Sequence, residues 1–131
     1  MNVWLFKLGE QTPLDKGNPK LSRTAVIANE LINGGHDVLW WTSTFDHLEK
    51  KQRYKNDITC EVFAGYKINF IFTPGYKKNF SIRRMLDHLV FNIKLSRRIS
   101  NLHPPDLIIS SYPTIGACVV LSNYAEKNKI P

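Results

Sequence analysis

Short apolar runs alternate with helix-forming segments along this chain, and that alternation constrains the fold more than any other feature. The apolar runs predict strands at residues 2–8, 38–42, 58–63, 67–72 and 106–111. The other segments predict helices from Asn18 or Pro19 to 32, from Phe80 or Ser81 to 102, and from Pro113 or Thr114 to 128. Strands and helices in this order form βαβ units around a parallel sheet. We therefore predict an α/β fold.

The loops that follow the predicted strands indicate where a ligand would bind. Ligands of open parallel sheets occupy the crevice beyond the carboxyl ends of the strands. The loops at those ends comprise residues 9–10, 42–44, 73–76 and 110–112. We expect these four loops to meet and to form the site.

Length and composition limit the class of protein. The 131 residues suffice for one domain with its own core, since domains cluster at ~100–150 residues. The longest apolar run, residues 115–121, is far shorter than the ~20 residues of a membrane-spanning helix. Cys60 and Cys118 form neither a disulfide framework nor a zinc motif, and the sequence predicts no secretory leader. We expect a cytoplasmic protein with reduced cysteines.

Positive charge is concentrated in one segment of the chain. The net charge is +7, and residues 76–98 contain seven bases but a single acid, Asp87. Such a segment contacts the phosphates of lipids or nucleic acids, or it keeps a helix solvated. No helix-turn-helix or RNA-binding pattern accompanies it, so we expect no nucleic-acid partner.

The helix in this basic segment carries two apolar stripes. The wider stripe is predicted to pack on the sheet and comprises Ile82, Met85, Leu86, Leu89, Val90 and Ile93. A narrower line edged with arginine suits anionic lipid headgroups, so we expect a membrane surface or an interdomain contact there. A neighbouring helix that covers this line is the alternative. The residues assigned to the narrower, outer surface are Arg83, Arg84, Phe91, Leu95, Arg97 and Arg98, with Ile99 continuing the apolar line.

The loop of residues 9–18 leads into a predicted helix, whose N-terminus favours anions. Glu10, Lys16 and Asn18 are therefore the candidates for a cleft that holds a donor phosphate, and a plain strand-to-helix connection is the alternative. The glycines of the loop match neither G-x-G-x-x-G nor the P-loop, so we expect no dinucleotide or ATP cofactor.

Polar residues after two other strands are the candidates for binding a hydroxylated acceptor. Asp46 and His47 follow the second strand and have the groups needed for hydrogen bonding or acid–base work. An exposed histidine beside an aspartate is the common alternative. The remaining histidines are scattered, so we predict no metal site. The full set of acceptor-site candidates is Ser43, Thr44, Asp46, His47, Ser111 and Tyr112.

Several stretches resemble one family, the N-terminal domain of GT-B glycosyltransferases of the family 4 kind. The helix that closes with glycine, followed by His36-Asp37-Val38, resembles the start of that domain. Residues 40–47, 74–79 and 81–84 are similar to a bacterial surface-polysaccharide subgroup, and residues 106–131 are similar to the fourth-strand segment. The resemblance covers nearly the whole chain.

The resemblance implies transfer of a sugar from a nucleotide-sugar donor to an acceptor hydroxyl. It implies two Rossmann-like domains that face each other across a cleft, with the donor bound mostly by the second domain. Residues 1–131 would then be an acceptor-side domain of a longer chain, inactive or nearly so alone, with a glycan or lipid-linked acceptor. No catalytic residue and no cofactor are assigned. The alternative is a stand-alone flavodoxin-like binding or regulatory domain without catalytic activity.

Overall fold

One five-stranded sheet and three helices make up the fold of the computed structural model, which describes residues 1–112 and 114–131. The sheet order is β5–β6–β2–β1–β7, and β3 and β4 form a separate hairpin. In chain order the strands are β1 (Asn2–Phe6), β2 (Asp37–Ser43), β3 (Phe45–Asp46), β4 (Lys51–Gln52), β5 (Ile58–Phe63), β6 (Tyr66–Ile71) and β7 (Leu107–Ser110), and the helices are α1 (Arg23–Asn33), α2 (Ile82–Ile99) and α3 (Ile115–Asn128).

The sheet is mostly parallel, and the predicted α/β, Rossmann-like fold is confirmed. β6, β2, β1 and β7 run parallel, whereas β5 runs antiparallel to β6. The expectation of a wholly parallel sheet is therefore wrong at one edge. The reason is the two-residue connection Ala64–Gly65, which joins antiparallel neighbours but is too short for a parallel crossover.

The order of the parallel strands distinguishes two Rossmann-like topologies. Counted along the chain, they lie in the order third, second, first, fourth. This is the order of the dinucleotide-binding type, whereas flavodoxins place the first strand between the second and the third. The flavodoxin-like alternative is therefore wrong in topology. The order reverses between β1 and β7, which is where such sheets open a crevice.

Alternation along the strands divides the core between the two faces of the sheet. Val3 and Leu5 of β1 pack with Ala25 and Ala28 of α1 on one face. Trp4 and Phe6 point to the other face, which α2 and α3 cover. Each large apolar side chain buried in this way contributes about 1.5–3 kcal/mol. The three-layer arrangement holds the strand ends, and therefore the loops, at fixed positions.

The helix starts agree with the sequence in one case and differ in another. Ser81 caps α2 as predicted, since its side chain accepts a hydrogen bond from the Arg84 N–H. α1 begins at Arg23 with Ser22 as its cap, not near Asn18. Asn18 has a φ of 56°, a left-handed conformation that continues the loop instead of opening a helix. For α3, the predicted start at Pro113 lies outside the described residues.

The orientation of α2 is the main correction to the sequence analysis. Phe91 and Leu95 are completely buried, so their assignment to an outer surface is wrong. They pack with Ile99 on the sheet, where the Phe91 ring lies 5.7 Å from that of Phe6. The wider apolar stripe faces outward instead, and Met85 is 72% exposed.

Polar contacts help to explain which side of α2 faces the sheet. Asp87 accepts a hydrogen bond from the Gly75 N–H at 2.7 Å. Lys94 and Arg98, on the same side of the helix, both pair with Asp57. The wider stripe consists of apolar residues and makes no such polar contacts. Choosing the helix side with the most apolar residues therefore predicts the wrong side to be buried. None of the described helices has the length and apolar character that crossing a membrane requires.

Candidate functional site

A cavity of about 280 Å³ lies at the carboxyl edge of the sheet, beside the point where the strand order reverses. Three of the four loops expected to form the site contribute to its wall, through Gly9, Ser43 and Tyr76. The fourth, residues 110–112, contributes no lining residue, and Thr114 lies there instead. His47, which follows β3, completes this part of the wall. The first turns of α2 add Arg84, Asp87 and His88. We call this cavity the Tyr76 pocket.

Tyr76 is the central side chain of the pocket. Its hydroxyl lies 2.5 Å from Nδ1 of His47, and its ring packs on Phe45 with centroids 4.9 Å apart. Two cations face the same ring: Lys50 Nζ is 4.7 Å from the centroid and the Arg84 guanidinium carbon is 5.7 Å away. Cation–π contacts of this kind fix the ring while leaving the cations available to a ligand.

Gly75 sets the position of Tyr76. Its φ of 72° is left-handed, and a Cβ at this residue would lie 2.6 Å from the Phe45 ring. Its N–H donates to the buried carboxylate of Asp87, which ties the loop after β6 to α2. Conformation and space therefore both favour glycine here.

Burial and nearby charges both affect the imidazoles of the pocket, which is lined by the cations Lys7 and Arg84 and by the carboxylate of Asp87. Burial, followed by the charges of Lys50 and Arg84, lowers the pKa of His47. Burial also lowers the pKa of His88, although Asp87 opposes that shift. Both imidazoles are therefore neutral at pH 7, when each has one N–H donor and one acceptor nitrogen. Burial raises the pKa of Tyr76, which keeps its hydroxyl protonated.

These groups suit a ligand that carries both hydroxyls and negative charge. Neutral imidazoles and a phenol exchange hydrogen bonds with sugar hydroxyls. Among the described residues, the hydrogen bonds of Lys50 and Arg84 go to neutral groups: Lys50 donates to the Asn79 side chain and Arg84 to the Asn79 carbonyl. The one carboxylate among the described lining residues, Asp87, accepts from the Gly75 N–H. Lys7 likewise donates to the Tyr112 carbonyl at 2.8 Å. An anionic ligand group would balance these cations.

The acceptor-site candidates after β2 separate into two groups. His47 and Ser43 line the Tyr76 pocket. Ser43 is also tied internally, since its hydroxyl shares a 2.9 Å hydrogen bond with that of Thr73. Thr44 is buried and donates to the Gln52 side chain, and Asp46 pairs with Arg53. Thr44 and Asp46 therefore hold the β3–β4 hairpin in place.

Arg53 is a structural centre that the sequence analysis missed. Its side chain is 9% exposed and makes two hydrogen bonds to Asp15, at 2.6 and 2.9 Å. It also pairs with Asp46 at 3.3 Å and donates to the carbonyls of Ser43, Phe45 and Glu10. We call Asp15, Asp46 and Arg53 the Arg53 cluster. It joins the loop after β1 to the hairpin, and nothing in the polar sequence of residues 43–57 marks it out.

The phosphate-site candidates lie away from the Tyr76 pocket. Glu10 accepts a hydrogen bond from the Thr24 N–H at 3.2 Å, so a carboxylate of the chain itself already occupies the N-terminus of α1. Lys16 borders a separate cavity of about 470 Å³ beside the Arg53 cluster. Asn18 is exposed in the turn before α1.

The remaining candidates lie on both sides of the pocket. Ser111 is half-buried and its N–H donates to the Phe6 carbonyl, whereas the Tyr112 side chain is exposed. Arg84, assigned to an outer surface, lines the pocket instead. Arg83 and Arg97 are exposed as expected, and Arg98 is half-buried against Asp57.

The pocket residues of α2 had a signal that sequence reasoning passed over. Arg84, Asp87 and His88 are spaced i, i+3 and i+4, which places them on one side of a helix. That side begins next to the loop after β6, where a ligand was expected. Among residues 1–112 and 114–131, no three histidine, cysteine or acidic side chains are grouped as metal ligands would be.

No protein-family model matches the chain, and no curated protein matches it either.

Proposed function

We propose that this chain is the acceptor-side domain of a glycosyltransferase that moves a sugar from a nucleotide-sugar donor to an acceptor hydroxyl. The Tyr76 pocket is the observation that carries the proposal. It combines hydroxyl-binding groups, His47 and Tyr76, with the cation Arg84, at the switch point of a Rossmann-like sheet. A second cation, Lys50, contacts the Tyr76 ring beside it.

The local sequence supports the proposal at the junction between α1 and β2. Gly34 and Gly35 end α1, and Gly35 has a φ of 79°. His36 then donates its N–H to the Leu31 carbonyl, and Asp37 begins β2. These are the residues that resemble the family 4 glycosyltransferases, and they form the first βαβ unit of the domain.

In this proposal the pocket binds and orients the acceptor. His47 and Tyr76 hydrogen-bond sugar hydroxyls, and Arg84 and Lys50 pair with a phosphate on the acceptor. Holding a hydroxyl in place lets the binding energy of the acceptor offset part of the entropic barrier to transfer. We assign no catalytic base within the chain, and we assign donor binding to a second domain.

The test is an NMR titration of the ¹⁵N-labelled chain with sugar 1-phosphates of glucose, galactose and N-acetylglucosamine. We expect at least one of them to shift the amide signals of Gly9, Gly75 and Tyr76, and the matching free sugar to bind about tenfold more weakly. Flavin mononucleotide is the comparison ligand. Shifts in these amides with the flavin alone would contradict the proposal and favour a cofactor-binding domain.

Two adjacent arginines offer a matched pair of variants for this titration. Arg84 lines the pocket and Arg83 is exposed on the neighbouring side of α2. Arg84→Gln is expected to weaken phosphosugar binding about tenfold or more, because hydrogen bonds to charged groups contribute roughly 1.5–3 kcal/mol. Arg83→Gln is expected to leave it unchanged. Equal losses in the two variants would mean that binding is a general charge effect.

A further inference from the structure

The first three turns of α2 have two different sides. Arg84, Asp87 and His88 line the Tyr76 pocket. The opposite side is apolar and exposed: Ile82 is 77% exposed, and Phe80, just before the helix, is 96% exposed. We call this side the outer face; its apolar residues are Phe80, Ile82, Met85, Leu86, Leu89 and Ile93.

Helix α3 does not reach the beginning of the outer face. Gly116, the second residue of α3, lies against Asn92 of α2, and further along, Ile99 and Tyr124 line one groove. The two helices therefore run side by side in the same direction. The ten residues of α2 before Asn92 extend roughly 15 Å beyond that first contact, at 1.5 Å per residue.

The exposed charged residues of the segment 76–98 are all basic. Lys77, Lys78, Arg83 and Arg97 are exposed around the outer face. The single acid of residues 76–98, Asp87, is buried on the pocket side and bound to Gly75. The outer face is thus an apolar strip with a cationic border and no carboxylate of its own segment.

We propose that the outer face docks on a lipid bilayer that contains anionic headgroups. The apolar side chains would enter the boundary between headgroups and acyl chains, and the basic residues would pair with phosphates. A second copy of the chain is a poor occupant, because pairing two such faces would bring like charges together. The proposed partner is still the lipid surface expected from the sequence, but the apolar residues that would contact it belong to the wider stripe and not to the line of Phe91 and Leu95.

The proposal rests on the exposure and charge of α2 and does not depend on the glycosyltransferase assignment. Vesicle binding tests this surface, whereas phosphosugar titration tests the pocket, so the failure of one proposal leaves the other standing. If both hold, the pocket lies directly behind a membrane-bound helix, where a lipid-linked acceptor would be within reach.

The experiment is co-sedimentation of the chain with vesicles of phosphatidylcholine, with and without phosphatidylglycerol. We expect binding at least tenfold stronger to the anionic vesicles, and a marked loss when salt is raised, because exposed charges are screened. Equal binding to both vesicles, or binding to neither, would overturn the proposal.

Matched double variants locate the surface. Met85→Ser with Leu89→Ser is expected to weaken vesicle binding about tenfold. Neutralising one basic residue near the membrane weakens binding roughly fivefold. Arg83→Glu with Arg97→Glu should weaken it by more than about fivefold for each residue, because the charge is reversed. The controls change exposed residues at and just before α1, on the other side of the sheet: Leu21→Ser with Val26→Ser, and Lys20→Glu with Arg23→Glu.

The controls are expected to bind like the unchanged chain, and circular dichroism checks that every variant is folded. Losses of equal size in the control and outer-face variants would overturn the proposal. So would self-association without vesicles that Met85→Ser with Leu89→Ser abolishes, since the outer face would then be an interface between copies.

Discussion

Two groups of charged residues lie at the same edge of the sheet, and they differ in the partners that their cations contact. In the Arg53 cluster, one buried cation meets two carboxylates, Asp15 at 2.6 Å and Asp46 at 3.3 Å. Around Tyr76, Lys50 and Arg84 meet an amide, a carbonyl and an aromatic ring. Every charge of the first group has an opposite charge of the chain as a partner, whereas the contacts of these two cations are with neutral groups.

This difference separates structural from ligand-binding polar residues. A buried ion pair with all its hydrogen bonds made leaves nothing for a ligand to satisfy. Cations that face a cavity and contact only neutral groups leave an electrostatic field that an anion would balance. The comparison therefore assigns Asp46 to the framework and His47, its neighbour, to the site.

Removing Arg53 should produce the largest effect. Arg53→Met leaves Asp15 and Asp46 as buried carboxylates without a cation, and breaking a buried pair in this way costs about 3–5 kcal/mol. Urea denaturation measures the change in the free energy of unfolding. Lys51→Met is the control, because the Lys51–Glu49 pair is exposed and 4.0 Å long, and its loss should cost no more than ~0.5 kcal/mol. Similar costs for the two variants would contradict the assignment of Arg53 to the framework.

Gly75→Ala should have the next largest effect on the free energy of unfolding, and it tests whether the pocket also depends on packing. A left-handed alanine costs about 1–2 kcal/mol, and the added Cβ meets the Phe45 ring at 2.6 Å. We expect a loss of about 2–4 kcal/mol. Gly17→Ala is the matched control, since Gly17 has a φ of 86° but open space around it, and it should cost only the backbone term. Equal costs would mean that Phe45 moves aside freely.

The two imidazoles of the pocket should make stability depend on pH. The pKa of His47 and that of His88 are lowered in the folded chain, so the unfolded chain takes up protons first as pH falls. Stability should be full above about pH 6.5 and fall below it until the folded imidazoles are protonated as well. His47→Gln with His88→Gln should flatten this dependence in denaturation curves, whereas His103→Gln, at an exposed residue, should keep it.

The smallest expected effect is a shift in the titration of these imidazoles. Arg84 lowers the pKa of both His47 and His88 by its charge, so Arg84→Gln should raise both pKa values. NMR titration of the imidazole signals measures this directly. Arg83→Gln is the control and should change neither. A shift of the same size in both variants would show that the field comes from the whole helix and not from the pocket.

The sequence was sufficient for the order of the five sheet strands and three helices and for the edge of the sheet where the loops meet, but it did not predict the β3–β4 hairpin. Apolar runs and the glycine stop at residues 34–35 are local signals, and the Ser81 cap is read from its own neighbourhood. The antiparallel β5 also had a local signal, because the connection through Gly65 is too short for a crossover.

The contents of the site could not be read in the same way. Asp46 and His47 are adjacent and both polar, but Asp46 pairs with Arg53 whereas His47 lines the Tyr76 pocket, and the sequence does not show this difference. The face of α2 depended on Asp57 and Gly75, which contact it from other elements. Such partners are distant in sequence, so helical periodicity alone favoured the wrong stripe.

Arg83 and Arg84 are consecutive residues of α2, yet Arg83 lies at the outer face and Arg84 lines the Tyr76 pocket. Two binding events on one helix are thermodynamically linked when the first changes the affinity of the second. If attachment at the outer face strengthens binding in the Tyr76 pocket by some factor, occupancy of the pocket must strengthen attachment by the same factor. A molecule captured in the cavity would then lengthen the time that the domain stays attached.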